Sequence, residues 1–264
     1  MTAHLAVSGI ISGRTAAAWA PSDLSAIVAW YRADLGVTES GGLVSAWADQ
    51  IGSNDLAQGN STYRPTLVSS DANFNSQATL SFSADCLYSA ASSWWHIADG
   101  TSLTSLVVWR ATSLASAAYP LNTRNFNTQG GWAHRADLAR FYVADSGASN
   151  SDFASDSTGY STSTVYVSAG LMRENGASAD DISLWINGTE CDSPVVGAYS
   201  FGNIAAAASR EFLVGAAGTT GGSGLVGHVA EVIYVAGLLS SGEDASLASY
   251  LNTRYGLSLT GVTQ

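Results

Sequence analysis

Residues 181–188 read Asp-Ile-Ser-Leu-Trp-Ile-Asn-Gly. Ile182, Leu184 and Ile186 alternate with Asp181, Ser183 and Trp185, the period-two pattern of a strand with one buried face. The Asn187-Gly188 pair that follows suits the positive φ values of a tight hairpin turn. Val195 to Tyr199 is the expected returning strand. Working outward, further strand signals recur at Ile27–Tyr31, Leu43–Trp47, Ala78–Phe82, Ser102–Arg110, Thr164–Leu171, Glu211–Gly215 and Leu225–Val235. In the Ser102–Arg110 run, Leu103, Val107 and Trp109 fall on one face and Leu106 and Val108 on the other. That near-continuous apolar run predicts a central strand covered on both sides. About eleven or twelve strands at this spacing imply an all-β sandwich or barrel.

One helix is predicted, at the end. Ser240-Ser241-Gly242-Glu243 has the form of a capping box, and Leu247, Tyr250 and Leu251 recur at helical spacing. Gly256 stands where a left-handed cap belongs. Residues 1–20 are expected to form an N-terminal arm or edge strand, with Leu5–Ile11 as its apolar part, and residues 21–264 the sandwich.

Composition narrows function. Of 264 residues only 12% are charged, about half the usual share, and the net charge is −11. All ten basic residues are arginine and none cluster, so the counterion-releasing cation patch of a nucleic-acid binder is missing. The same balance argues against an anionic membrane surface. No run approaches the roughly 18 apolar residues of a membrane span. The N-terminus lacks the charged and apolar regions of a secretion signal, which leads to the expectation of a protein left in the cytoplasm or exported by another route. Cys86 and Cys191 lie far apart without metal-ligand spacing; a single disulfide and two buried free thiols both fit.

The stretches IVAWYRADLGVT (27–38), GLVSAWADQIGSNDLAQ (42–58), RPTLV (64–68), ATLSF (78–82), ISLWINGT (182–189), REFLVGAAG (210–218) and GLVGHVAEVIYVAGLLSSGEDASLASYLNTRYGL (224–257) resemble the concanavalin A-like, laminin-G-like domains. The resemblance implies an antiparallel two-sheet jelly-roll sandwich closed by a C-terminal helix. Domains of this subtype look most like those of bacteriophage virions: capsid decorations, tail fibres and spikes. It therefore implies a non-enzymatic virion surface protein acting through assembly contacts, with copies of itself or other virion proteins as partners and an oligomeric state. A lectin-like module recognising a surface polysaccharide is the alternative. The family's hydrolases carry alternating carboxylates on a strand. Among the six glutamates here none forms that pattern, and Glu231 is expected to hold a polar network under the helix. No Gly-x-Ser-x-Gly elbow and no paired histidines point to nucleophilic or metal chemistry.

Domains of the resembled family often hold Ca²⁺, and Asp152, Asp156, Asp180 and Asp181 lie in loop sequence that supplies hard oxygens; ordinary turn acids fit equally. No other cofactor is implied. For a glycan or partner contact the candidates are Trp94, Trp95, His96 and Asp99, together with Trp132 and His134. Indoles stack on sugar faces while Asp and His take hydroxyl hydrogen bonds; core packing is the other role open to them. Trp30, Trp47, Trp109 and Trp185 are assigned to packing.

Overall fold

The computed structural model describes residues 18–96, 100–114, 117–123, 130–144, 151–174, 180–195 and 210–264. Its first half holds strands β1 (Ile27–Arg32), β2 (Val37–Ser40), β3 (Leu43–Trp47), β4 (Leu56–Ala57), β5 (Thr66–Asp71), β6 (Gln77–Ser83), β7 (Leu87–Tyr88), β8 (Leu103–Ser113) and β9 (Leu121–Asn122). The second half adds β10 (Gly131–Arg135), β11 (Arg140–Ala144), β12 (Ser151–Ser155), β13 (Tyr166–Arg173), β14 (Asp181–Ile186), β15 (Thr189–Glu190), β16 (Leu213–Val214), β17 (Val226–Val235) and the helix α1 (Ser241–Tyr255).

All pairings are antiparallel and fall into two layers. In the first, β17 is central: β6 pairs with Val226–Val229 and β1 with Glu231–Val235, while β8 runs along its other side. The layer continues from β8 through β13 and β14 to β15. The second layer runs β2-β3-β4-β7-β16-β9-β10-β11-β12. The pair Leu43↔Thr66 joins the layers at one end, and the bridge Ser155↔Ser193 joins them at the other.

This is the expected antiparallel sandwich. The core between the layers holds Leu103, Val107 and Trp109 of β8 with Trp47, Trp132, Phe141, Val232 and Tyr234. The opposite face of the first layer presents Leu106, Val108, Val167, Ala169 and Ile233 to Leu247, Leu251 and Tyr255 of α1. The first layer is thus buried on both faces, as the apolar run in β8 requires. Each such side chain contributes roughly 1.5–3 kcal/mol on burial. Close packing also explains a glycine in mid-strand: a Cβ on Gly170 would stand 2.1 Å from the Phe141 ring.

Glu231 fixes the helix to the sheet. Its carboxylate is fully enclosed and accepts hydrogen bonds from Trp30 Nε1 (2.5 Å), the Tyr250 hydroxyl (2.9 Å) and the Tyr255 hydroxyl (2.6 Å). Burial raises its pKa, and these three donors oppose that. The capping box forms as expected: Ser240 Oγ accepts from Glu243 N, Glu243 Oε2 accepts from Ser240 N, and Gly256 closes the helix at φ 66°.

One sequence expectation changes. The strand returning from the Asn187-Gly188 turn is β15, directly after the turn, because a two-residue loop leaves no chain for a later return. Val195 adds one bridge to Ile182, and residues 196–199 lie outside the described residues. The stretch 112–160, which carries no clean alternation, supplies β9 to β12. Of the expected N-terminal arm, residues 1–17 lie outside the described residues, and Trp19 packs edge-on against Tyr250 at 6.1 Å between ring centroids.

Candidate binding groove on the sheet edge

The outward positions of β13 to β15 assemble a groove. Because Ile182 and Leu184 point into the core, Asp181, Ser183 and Trp185 face the opposite side. The register sets Arg173 opposite Asp181, Leu171 opposite Ser183, and Glu190 opposite Trp185. Pro194 and Val195 border the edge, held by the hydrogen bond from Ile182 N to Val195 O. Thr263 of the C-terminal tail forms the remaining wall. The enclosed space is about 180 Å³, below the roughly 300–1,000 Å³ of a drug-sized pocket. It therefore suits a short section of a longer ligand.

The walls are held from several directions. Asp244, in the first turn of α1, accepts from Val262 N (3.0 Å), Thr263 N (2.7 Å) and Thr263 Oγ1 (2.7 Å), pinning the tail. The hairpin turn is tied to β13 by Asn187, whose N–H donates to Val167 O and whose Oδ1 accepts from Val167 N. Gly188 (φ 76°) meets the tail so closely that a Cβ would lie 2.3 Å from Gly261 O. Within the groove, Trp185 Nε1 donates to Ser183 Oγ at 3.2 Å, which fixes the indole plane. Trp185 is partly buried, with one side packed at the margin of the helix-facing core. The groove thus offers an anchored aromatic face beside the Glu190 carboxylate and the Ser183 hydroxyl, with Asp181 and Arg173 at its other end.

The residues singled out from the sequence lie elsewhere. Trp95 and Trp132 are fully enclosed, and neither presents a ring face to solvent. Trp132 packs on Tyr234 (5.2 Å) and Phe212 (5.8 Å), and Trp95 Nε1 donates to Arg210 O. Trp94 is partly buried against Phe212 at 4.7 Å, and His96 stacks edge-on with Trp95 at 4.3 Å. His134 is buried with Nε2 2.8 Å from Ser105 Oγ, and burial pushes its imidazole down to about 3. Asp99 lies outside the described residues. Trp95 and Trp132 take the packing role that the sequence left open to them: both belong to the aromatic filling between the layers. Trp185, assigned to packing from the sequence, packs at the margin of the helix-facing core and also lines this groove.

Other polar candidates have structural partners. Asp156 caps a turn through Thr158 and Gly159, and Asp152 Oδ1 accepts from Phe153 N. Among the described residues no group of three His, Cys, Asp or Glu side chains stands close enough to hold a metal ion. Cys86 and Cys191 are buried and free, and burial raises both thiols. His228 Nδ1 lies 3.2 Å from Asp71 Oδ2 and 3.1 Å from Thr79 Oγ1.

No family model and no curated protein sequence matches the chain. Solved structures do. The binding domain of Paraclostridial mosquitocidal protein 1 superposes with a TM-score of 0.59 at 11% identity, over 89% of this chain and 53% of that one. The binding domain of botulinum neurotoxin serotype D/C gives 0.51 at 11% identity, over 88% and 53%. Trypanosoma rangeli sialidase, solved with 2,3-difluorosialic acid, gives 0.51 at 12% identity, over 87% and 33%. The chain spans about half the length of the two toxin domains and a third of the sialidase. At these identities the likeness is one of fold, an all-β sandwich.

Proposed function

We propose that the chain is a lectin-like, carbohydrate-binding module, and that the Trp185 groove takes the glycan. The observation that carries this is the pairing of Trp185 with Glu190 across the β14–β15 hairpin. An indole fixed by its own hydrogen bond provides the apolar platform on which a sugar ring stacks, and the neighbouring carboxylate accepts its hydroxyls. The fold supports the reading, since two of the compared structures are toxin binding domains and the third is solved with a sialic acid derivative. None of the three is a virion component, so the glycan role is preferred to the virion-surface role expected from the sequence.

The module is read as a binder rather than a hydrolase. The groove's two carboxylates, Asp181 and Glu190, are set four strand positions apart, because Glu190 lies opposite Trp185. At about 3.3 Å per residue their backbones are separated by roughly 13 Å, so the two do not face each other as a directly opposed pair. Glu231 is sealed beneath α1.

The test is a glycan array probed with the full chain and with Trp185→Ala. Binding to a defined set of glycans should fall about five- to tenfold in the variant, the loss of one stacking contact of about 1–1.5 kcal/mol, while the thermal midpoint drops only slightly. Binding that survives unchanged in the variant would place the site elsewhere. An array with no hits would remove the reading altogether.

A further inference from the structure

We infer that the Trp185 groove selects uncharged glycans over acidic ones and that Glu190 sets this preference, an inference that rests on the glycan-binding reading of the same groove. Trp185 and Glu190 are direct cross-strand partners. Side chains so placed share one face with Cβ atoms about 4.5–5.5 Å apart, so a ring stacked on the indole lies beside the carboxylate. A carboxylate only accepts hydrogen bonds. Vicinal hydroxyls of a neutral sugar supply the two donors that its oxygens need. The carboxylate of a uronate or sialate, or a sulfate group, in that place supplies none and adds a like charge.

The surroundings reinforce the bias. Asp181 puts a second carboxylate at the far end of the groove. Arg173 is the one cation in its lining, and it stands opposite Asp181 rather than Trp185. That register sets the Arg173 backbone four positions, roughly 13 Å, from the indole. The net charge of −11 adds a repulsive field around the whole chain. Discrimination therefore comes from a repulsive element as much as from an attractive one.

The experiment pairs each neutral probe with an acidic counterpart: lactose with 3′-sialyllactose, galactan with polygalacturonan, and mannan with polymannuronate. The full chain is titrated by calorimetry at low and at high salt. The neutral member of the bound pair should be favoured by about tenfold or more, with the gap narrowing in high salt as the repulsion is screened. Glu190→Gln should weaken the neutral probe several-fold and strengthen the acidic one, shrinking their ratio by about tenfold. Equal or tighter binding of the acidic member, lost in Trp185→Ala, would overturn the selectivity while leaving the glycan-binding role intact. A ratio unmoved by Glu190→Gln, in a variant that unfolds at the wild-type temperature, would overturn the assignment to Glu190. Failure of every probe of both kinds would count against the glycan role itself, and the selectivity would fall with it.

Discussion

The Tyr255 hydroxyl donates to Glu231 Oε2 across 2.6 Å, and the accepting carboxylate has no exposure to solvent. This bond ties the last turn of α1 to the centre of β17. Hydrogen bonds to charged groups contribute about 1.5–3 kcal/mol, and removing one donor from an enclosed carboxylate exposes the full cost of its desolvation. Tyr255→Phe should therefore lower unfolding stability by about 2 kcal/mol in a denaturant titration. A change below about 0.5 kcal/mol would mean that Trp30 and Tyr250 satisfy the carboxylate alone.

His134 makes stability depend on pH. Ser105 Oγ donates to Gly170 O at 3.4 Å, so the ring's Nε2–H donates to Ser105 and leaves Nδ1 as a bare, buried lone pair. Protonation would create a charge and an N–H donor without an acceptor. Burial holds the folded pKa at about 3, against 6.5 for an unperturbed imidazole. Between those values the unfolded chain binds more protons than the folded one, so stability falls as pH falls below 6.5. The loss from pH 7 to pH 5 should be about 2 kcal/mol. His228 and His96, also shifted down, act in the same direction. Asp34, Asp71 and Asp137, shifted below the usual carboxylate range, act only at lower pH, while Glu231, raised by burial, binds its proton more readily in the folded chain and offsets part of the loss. Denaturant midpoints measured from pH 5 to pH 7 check this: His134→Asn should flatten the slope, and an equal slope in the variant would assign the effect to the other histidines.

Gly170 in mid-β13 is set by Phe141 of the facing layer. Gly170→Ala should destabilise by about 1–3 kcal/mol, because the new methyl group would stand inside the contact distance of the ring. The second variant Gly170→Ala/Phe141→Leu should recover part of the loss by vacating ring volume. Equal stability of Gly170→Ala and the wild type would show that the layers yield locally.

Much of the fold was legible because burial imposes a period. The first layer is covered on both sides, so β8, β13 and β17 carry long apolar runs, and the Ser240–Glu243 box marks the helix start unambiguously. The second layer was harder to see. Several of its strands are two residues long, as at Leu56–Ala57, Leu121–Asn122 and Leu213–Val214, too short to show alternation. The candidate groove was hidden for a related reason. The Trp94-Trp95 pair stood out because it broke the pattern, yet the break marks a turn whose indoles fill the space between layers. Trp185 sat within a clean pattern and was taken for packing. The signal was present: with Ile182, Leu184 and Ile186 inward, Trp185 had to share the outward face with Asp181 and Ser183. What the sequence did not show was that the C-terminal tail borders this edge and leaves that face only partly covered.

The groove's far wall depends on one buried acid. Asp244 accepts three hydrogen bonds from Val262 and Thr263, and it lies in the first turn of α1, where the helix dipole favours a negative charge. The rest of the tail is held by Asn252, which exchanges hydrogen bonds with Leu259 N and O, by Gln264 Nε2 donating to Leu239 O, and by its close passage over Gly188. Asp244→Ala should cost about 2–3 kcal/mol and free the tail before the sandwich unfolds. Backbone amide exchange reads that separation. The Val262 and Thr263 amides should lose protection by several orders of magnitude, while amides of β8 and β17 change only by the global loss of stability. Thr263→Ala, which removes only the hydroxyl contact, should cost about 1 kcal/mol and leave both amides protected. If Asp244→Ala leaves them protected too, the tail is held by packing of Val262 and Leu259 against the helix-facing core. The groove wall would then survive without the acid.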